Sequence, residues 1–325
     1  MTVDLSKFVQ PVIVDNRRWR TEVPDYNQYF ERVADELSRL PRQNNVVVDP
    51  DIVEIAACAV CESNAGSQLF VKYGFEYVQC NVCTHIFVKN RLIEGRIIEN
   101  YRDSECDSIT HRIERHDNSR DYTSKLYAKY TGLLADLGIT KGRLIDVGCG
   151  AGNFLRYCSS HTGYELHALE LNEDVHADLE AIVGRQRLFT DRIEDAQFGS
   201  LKFDVITMWG VLEHIIDPCR VLRSFSTTLT EDGCILALVP NPQSRAVSIL
   251  GVNTPTFNPR VHLHMFTRKS FEYMAHRVGL SVQAVFCELP VIDLMYDHIR
   301  YDADLVADIV RRYESYYLVY LLRAR

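Results

Sequence analysis

Two pairs of cysteines have the spacing of a metal site, because two residues separate Cys58 from Cys61 and two separate Cys80 from Cys83. Four thiolates in two such pairs suit tetrahedral zinc, and the separation of the pairs is typical of a zinc ribbon. The protein would supply every ligand, so we expect a structural ion. A redox role is disfavoured because neither pair opens a helix after a strand. Four unrelated reduced cysteines are the remaining alternative.

A glycine-rich turn is the second feature that could bind a ligand. The run Leu144–Val147, which contains Asp146, has the pattern of a buried parallel strand, and Gly148, Gly150 and Gly152 follow it. Glycines at alternate positions permit positive φ or close approach of the backbone to a ligand at the next helix N-terminus. The third glycine comes one residue too early for a dinucleotide site. A tight turn without a ligand is the alternative.

Acidic and imidazole side chains follow two further predicted strands. Glu170 comes directly after residues 164–169, where a carboxylate can accept hydrogen bonds from the two hydroxyls of a ribose. Glu213 and His214 follow a strand that ends near Trp209. Because the carboxyl ends of parallel strands meet at one edge of a sheet, we expect these residues and the glycine turn to lie together. A solvent-facing acid is the alternative for Glu170.

Alternating strands and helices would position these residues, and the sequence patterns that predict them begin near residue 141. The alternation predicts a doubly wound α/β fold with a parallel sheet, helices on both faces and one ligand edge. The predicted strands cover residues 143–147, 164–169, 187–189, 203–208, 234–239, 281–286 and 315–323. Upstream, residues 25–40 and 121–137 have helical spacing, and residues 68–79 have the pattern of a hairpin between the cysteine pairs.

Composition restricts the class of protein. The chain has 325 residues, 46% hydrophobic and 25% charged, as expected for a globular protein of about two domains. The net charge of −8 disfavours a broad phosphate-binding surface, so we do not expect a nucleic-acid partner. No apolar run is long enough to span a membrane, and the N-terminus lacks a signal-peptide core. These features predict a cytoplasmic protein without a membrane partner.

Several motifs resemble those of the class I S-adenosylmethionine (SAM) methyltransferases. The G-x-G-x-G turn after Asp146 resembles their motif I. Residues 203–218, FDVITMWGVLEHIIDP, resemble the F-D-x-V…V-L-E-H-x-x-D-P signature of the group that includes ubiquinone and sugar methyltransferases. Residues 239–242 and 262–267 resemble its later P-N and H-L-x-x-F-T segments. The resemblance covers about residues 120–325 and implies a doubly wound, seven-stranded, Rossmann-like methyltransferase sheet.

With the cysteine pairs included, the resemblance extends to methyltransferases that carry a small N-terminal zinc-ribbon domain and modify sugars. We therefore expect four segments. They are a partly helical N-terminal extension over residues 1–50, a zinc ribbon over 51–100, a helical linker or lid over 101–140, and a SAM-dependent methyltransferase domain over 141–325.

The resemblance also implies a role for each site residue. Those implied to bind SAM are Asp146, Gly148, Gly150 and Gly152 at its methionine part, Glu170 at its ribose, Ile193 and Glu194 at its adenine, and Trp209 beside them. His214 is the candidate general base, since histidine titrates near neutrality, and Glu213 would orient it or bind acceptor hydroxyls. Alternatively, Glu213 caps the next helix and His214 only packs under the acceptor loop. His262, His264 and Tyr101 are weaker candidates for the acceptor pocket.

The predicted function is methyl transfer from SAM to a small molecule, namely a sugar, nucleotide sugar or glycan precursor. We expect O-methylation rather than C-methylation, because residues 315–323 have the pattern of a last sheet strand and no C-terminal lobe follows, unlike in the related sugar C-methyltransferases. An RNA methyltransferase with a zinc ribbon is one alternative, and the acidic charge balance opposes it. A non-catalytic zinc scaffold that binds SAM is the other. A homodimer is left open.

Overall fold

The computed structural model describes residues 4–13, 24–102, 105–114, 117–289 and 301–325. The helices of these ranges are α1 (Pro24–Ser38), α2 (Glu94–Arg102), α3 (Glu105–Glu114), α4 (Asp117–Asp136), α5 (Asn153–His161), α6 (His176–Val183), α7 (Pro218–Ser226), α8 (Arg245–Leu250), α9 (Arg268–Arg277) and α10 (Ala303–Arg312). The strands are β1 (Val53–Ile55), β2 (Gly66–Lys72), β3 (Phe75–Cys80), β4 (Ile86–Val88), β5 (Asn90–Leu92), β6 (Lys141–Val147), β7 (Gly163–Leu169), β8 (Leu188–Phe189), β9 (Phe203–Trp209), β10 (Leu229–Pro240), β11 (His264–Met265), β12 (Leu280–Glu288) and β13 (Tyr317–Ala324).

The main sheet has the strand order β12-β13-β10-β9-β6-β7-β8. The pairs from β10 to β8 are parallel, whereas β13 is antiparallel to both of its neighbours, β10 and β12. The α/β fold with a mostly parallel sheet is therefore confirmed. The alternating pattern predicts a fully parallel sheet, whereas the last strand, β13, runs in the opposite direction to its neighbours. After α10 the chain returns through β13, which lies between β10 and β12, two strands that come earlier in the sequence.

Helices cover both faces of this sheet, as a doubly wound fold requires. On one face, α4, α5 and α6 contribute Tyr130, Phe154 and Leu179 to a core with the inner strands. On the other face, α7 and α9 contribute Phe225 and Phe271 to a second core. Because the inner strands are buried on both faces, their sequences are nearly continuous apolar runs, which made them predictable.

A smaller sheet, ordered β11-β4-β3-β2, is built around the cysteine segment. β2 and β3 form the predicted hairpin, whose turn at Tyr73 and Gly74 has positive φ at both residues, 53° and 88°. β11 comes from the C-terminal half of the chain and pairs with β4, placing His264 opposite Phe87. A segment of the methyltransferase-like region thus completes the sheet of the cysteine segment.

The cysteine segment also packs directly on the helices of the main sheet. Arg277 of α9 donates a 2.7 Å hydrogen bond to the carbonyl of Val60 and pairs with Glu62 at 2.9 Å. The hydroxyls of Thr84 and Thr267 lie 3.0 Å apart.

None of the helices described in the structure combines the length and the apolar composition needed to cross a lipid bilayer.

Candidate active site

The carboxyl ends of β6, β7 and β9 open onto a cavity of about 490 Å³. It lies where the sheet order reverses direction around β6, the position at which doubly wound sheets bind ligands. The predicted site residues that line it are Gly148, Gly150, Glu170, Ile193, Glu194, Trp209, Glu213 and His214. Asp146 and Gly152 are not among the lining residues.

The glycine turn has the backbone that its spacing predicts. Gly148, Gly150 and Gly152 have φ values of 63°, 52° and 74°. A Cβ on Gly152 would lie 2.7 Å from the Cδ2 atom of Leu179, so this glycine permits close packing of α5 on α6 and does not face the cavity. Gly152 therefore affects the site only through this helix packing, whereas Gly148 and Gly150 form part of the cavity wall.

Glu170 is held at the cavity wall by backbone hydrogen bonds. Its Oε2 atom accepts a 2.8 Å bond from the N–H of Gly150, and its Oε1 atom accepts a 2.9 Å bond from the N–H of Asn172. A carboxylate oxygen has two lone-pair directions, so each oxygen can still accept a bond from a ligand hydroxyl. The carboxylate therefore joins the glycine turn to the next strand and keeps accepting capacity.

Asp146 lies inside the sheet, below the glycine turn, and is 1% exposed. Its Oδ1 atom accepts a 2.6 Å hydrogen bond from the hydroxyl of Thr207 on β9. Burial raises the pKa of this carboxyl to about 8, against the opposing effect of the Thr207 hydrogen bond. The resemblance implies contact with the methionine part of SAM, whereas the structure places this side chain beneath the turn.

Ile193 and Glu194 also line the cavity, and a Cβ atom on Gly148 would lie 3.6 Å from the Cδ1 atom of Ile193. The neighbouring Arg192 places an Nη2 atom 2.6 Å from the Oε1 atom of Glu94 on α2 and 3.9 Å from Glu194. The ion pair with Glu94 ties the loop after β8 to α2.

Glu213 lies in the loop after β9 and is only 2% exposed. It does not cap α7, because the cap is Asp217, whose carboxylate accepts a 2.9 Å bond from the N–H of Arg220. Burial raises the pKa of Glu213 to about 8. Its Oε2 atom is buried without a hydrogen-bond partner, an expensive arrangement for a carboxyl oxygen.

His214 packs beside Tyr101 and the backbone of Val261. Its Nδ1 atom lies 2.6 Å from the Tyr101 hydroxyl and 3.0 Å from the Val261 carbonyl. Burial, with a further contribution from the imidazole of His262, lowers the pKa of His214 to about 3. The ring is therefore neutral at pH 7, and the near-neutral titration assumed from its residue type does not apply here.

The three weaker candidates separate into two groups. Tyr101 and His262 line the cavity, and the rings of His214 and His262 lie 4.8 Å apart between centroids. His264 does not line it, because its strand pairs with β4 and its Nδ1 atom lies 3.1 Å from the Nε2 atom of His85.

Several lining residues carry no local sequence signal. Tyr29 and Phe30 of α1, Tyr316 and Tyr317 at the start of β13, and Arg260 all contribute to the wall. Helical periodicity marks α1 as amphipathic, but it does not say which surface its apolar face covers. These residues could be identified only from the structure, which brings distant segments of the chain together around the cavity.

The four predicted metal ligands come together. Their sulfur atoms lie within 4.8 Å of one another, with Cys58 3.5 Å from Cys83 and Cys61 3.4 Å from Cys80. All four are free thiols. A hydrogen bond from Cys83 is the main effect that lowers the pKa of the Cys58 thiol. Such a cluster can hold thiolate, the form that binds metal.

The two cysteine pairs have the same backbone conformation. In each, the residue after the second cysteine has positive φ, 65° at both Glu62 and Thr84. In each, the N–H of that residue donates to the carbonyl of the first cysteine, at 2.7 Å for Cys58 and 3.0 Å for Cys80. This repetition aims both pairs of side chains at one point.

Comparison with known proteins identifies the family. Residues 115–285, just over half of the chain, match the family model described as a methyltransferase domain. The chain belongs to this family of methyltransferase domains. Two similar relatives are the ubiquinone biosynthesis O-methyltransferases of Albidiferax ferrireducens, 29% identical over 164 residues, and of Psychrobacter cryohalolentis, 25% identical over 178 residues.

These alignments cover 47% and 50% of this chain and 61% and 66% of the relatives, so the chain spans less than two thirds of their length. Among solved structures, a SAM-dependent methyltransferase from Clostridium acetobutylicum is similar with a TM-score of 0.47 and 13% identity. That alignment covers 67% of this chain and 98% of the other.

Proposed function

We propose that this protein transfers the methyl group of SAM to a hydroxyl of a small-molecule acceptor. The observation that carries the proposal is that the wall of one cavity includes both the glycine turn with Glu170 and the pair Glu213 and His214. Membership of the methyltransferase family and relatives named as O-methyltransferases support it.

In this proposal the cofactor occupies the half of the cavity beside the glycine turn. Gly148 and Gly150 leave room for the methionine part, Glu170 accepts hydrogen bonds from the ribose hydroxyls, and Ile193 and Glu194 flank the adenine. Trp209 contributes to the wall of the same cavity. Asp146 and Gly152 support the turn from behind rather than by contact.

The acceptor hydroxyl would meet Glu213 and His214. Bound SAM supplies a methyl group activated by a sulfonium. The acceptor oxygen forms the new O–C bond while the C–S bond breaks and its electron pair stays on sulfur, so the hydroxyl proton must leave. Of the two side chains, Glu213 has the higher pKa and is the stronger base, whereas neutral His214 is a weak one.

O-methylation agrees with the names of the relatives, whereas a sugar or nucleotide-sugar acceptor and a homodimer stay predictions. An RNA substrate is not favoured by the net charge of −8. A scaffold that binds SAM without turnover would produce no S-adenosylhomocysteine with any acceptor.

We also propose that the four cysteines bind one structural zinc ion and make the small sheet a zinc ribbon. Four sulfur ligands fill a tetrahedral site and leave no position for a substrate. The repeated backbone of the two cysteine pairs and the short distances among their sulfur atoms support this. The packing of Arg277 on Val60 indicates that the ribbon braces the main sheet.

Calorimetry with S-adenosylhomocysteine, the demethylated product, tests the cofactor assignment. We expect the wild type to bind it and Glu170→Gln to bind about 10-fold to 100-fold more weakly, because hydrogen bonds to a charged group contribute about 1.5–3 kcal/mol. Glu231→Gln, at an exposed position of β10, is the matched control and should bind like the wild type. No binding by the wild type would refute the proposed function.

A further inference from the structure

Glu213 is an acid of the cavity wall whose charge has no compensating partner among the described residues. It is 2% exposed, it lines the cavity, and its Oε2 atom has no hydrogen-bond partner. No lysine or arginine described in the structure forms an ion pair with it, and burial is the main effect on its pKa. A buried carboxyl of this kind is stable as a carboxylate only when a positive charge lies near it.

The other two acids of the wall already have partners. Glu170 accepts a 2.8 Å hydrogen bond from the N–H of Gly150, and Glu194 lies 3.9 Å from the guanidinium of Arg192. The unmet demand for a positive charge is therefore specific to Glu213.

The basic groups around Glu213 do not meet this demand. The ligand atoms of His214 and His262 lie within 4.8 Å of those of Glu213, but burial lowers the pKa of both imidazoles, so both are neutral at pH 7. Arg260, also in the cavity wall, is paired with Glu36 at 3.0 Å. A cation for Glu213 would therefore have to come from a molecule bound in the cavity.

The loop that carries Glu213 packs on the glycine turn. A Cβ atom on Gly148 would lie 3.1 Å from the Cγ2 atom of Val211, and one on Gly210 would lie 3.4 Å from the Oε1 atom of Glu213. Residues 210–213 thus form a continuous wall from the turn to the carboxyl of Glu213. A charge bound beside the turn acts on this carboxyl through a poorly hydrated space, where electrostatic interactions are strong.

We propose that Glu213 is the counter-charge of the sulfonium of SAM, so that the site selects the cationic cofactor over its neutral product, S-adenosylhomocysteine. Glu213 is then a specificity-determining residue for the cofactor as well as the base. The sulfonium in turn favours the carboxylate form of Glu213, which is the form that can accept a proton. The inference rests on the proposed function, because it assigns a partner to a side chain of the same site.

This role agrees with the charge changes of methyl transfer. Glu213 begins as a carboxylate beside a sulfonium. It takes the hydroxyl proton of the acceptor while the acceptor oxygen forms the O–C bond and the C–S bond breaks with its electron pair on sulfur. Both charges disappear in the same step, which a buried cavity favours. The protonated Glu213 then has no attraction for the neutral product, so product release is not opposed.

Calorimetry with SAM and with S-adenosylhomocysteine, without acceptor, tests the inference. We expect the preference for SAM, expressed as the ratio of the two dissociation constants, to fall about 10-fold or more in Glu213→Gln, because an ion pair shielded from water is lost. Glu170→Gln is the matched control. It should weaken the binding of both ligands and leave their ratio unchanged, since both contain the ribose.

Proton release gives a second measurement, which needs only the wild type. Glu213 should lose its proton when SAM binds and keep it when S-adenosylhomocysteine binds. Calorimetry in two buffers of different ionisation enthalpy, at pH 7, should therefore show more proton release with SAM. This measurement decides the matter if melting curves show that Glu213→Gln does not fold.

The inference is overturned if Glu213→Gln folds and keeps the ratio of the wild type, or if the wild type releases equal numbers of protons with the two ligands. Either result, with normal binding of both ligands by the wild type, leaves the proposed function standing. Failure of the wild type to bind either ligand overturns both proposals.

Discussion

At the scale of single residues, two buried carboxyls have the same raised pKa and different surroundings. Burial raises the pKa of both Asp146 and Glu213 to about 8. Asp146 has the hydroxyl of Thr207 as a partner, whereas the Oε2 atom of Glu213 has none and its side chain lines the cavity. A satisfied buried acid supports the fold, whereas an unsatisfied one beside a cavity is a candidate for the chemistry of that cavity.

The raised pKa of Asp146 predicts a pH-dependent stability. The folded state keeps the proton up to about pH 8, whereas the unfolded chain loses it near pH 4, so this group favours folding at low pH and stops doing so as pH rises. Asp146→Asn keeps an oxygen for Thr207 and cannot ionise. We expect its melting temperature, relative to the wild type, to increase from pH 5 to pH 8 in the absence of ligand.

Thermal melts at several pH values, followed by circular dichroism, measure this difference. Glu231→Gln again serves as the control, because Glu231 is exposed on β10. A constant difference between Asp146→Asn and the wild type would show that Asp146 ionises normally in the folded state.

At the scale of elements, β11 connects the sheet of the cysteine segment to the side of the cavity that is lined by Glu213 and His262. It forms the edge of the small sheet and begins two residues after His262. The cysteine pairs also pack on α9 through Arg277. The small sheet therefore holds the loop that carries His262, so a metal ion bound by the cysteines, as proposed above, would act on the site indirectly.

If the four cysteines bind zinc as proposed, this connection predicts that loss of the zinc lowers stability. We expect Cys61→Ala to contain one equivalent of zinc less than the wild type and to melt more than about 5 °C lower, since 1 kcal/mol shifts the melting temperature of a domain this size by about 2–4 °C. Atomic emission spectrometry and calorimetric melts are the measurements. Cys219→Ser is the control, because its thiol lies 3.8 Å from the Val60 carbonyl but outside the four-sulfur cluster.

If Cys61→Ala kept the zinc content and melting temperature of the wild type, the cysteines would be ordinary core residues. Should the variant not fold, titration of the wild type with a strong zinc chelator gives the same information, since release of zinc and the loss of stability can be followed together.

At the scale of the whole molecule, the cavity is enclosed by segments that are far apart in the sequence. α1 contributes Tyr29 and Phe30, and the loop before β11 contributes Arg260. The guanidinium of Arg260 is 3% exposed, and its Nε atom lies 3.0 Å from the carboxylate of Glu36 on α1. This ion pair fastens α1 to the loop before β11, and residues of both segments line the cavity.

Removing the carboxylate from that pair should loosen the N-terminal helix. Glu36→Gln leaves the buried Arg260 without its counter-charge, and we expect a loss of about 1–2 kcal/mol, moderated because half-exposed Glu36 is screened by water. Urea unfolding measures the loss. Glu31→Gln, at an exposed position of the same helix, is the control, and binding of S-adenosylhomocysteine should be unchanged in both. Equal stability of the two variants would contradict this role.

The sequence alone determined which segments form the inner strands of the main sheet and which residues meet at the carboxyl ends of those strands. Inner strands buried on both faces must be apolar almost throughout, so β6, β7 and β9 were recognisable, and their shared direction placed Glu170, Glu213 and His214 together. The cysteine spacing likewise placed four sulfur atoms close to one point, because two short turns already fix most of that geometry. These features depend on residues close in the chain or on a regular period.

Only the tertiary structure decided the rest of the site. The reversal of β13, the addition of β11 to the small sheet and the arrival of His262 beside Glu213 depend on contacts between distant segments, which leave no period in the sequence. The charge states of the buried side chains also depend on the tertiary structure. Asp146, Glu213 and His214 have ordinary residue types, and it is their removal from water that shifts their pKa values away from those types.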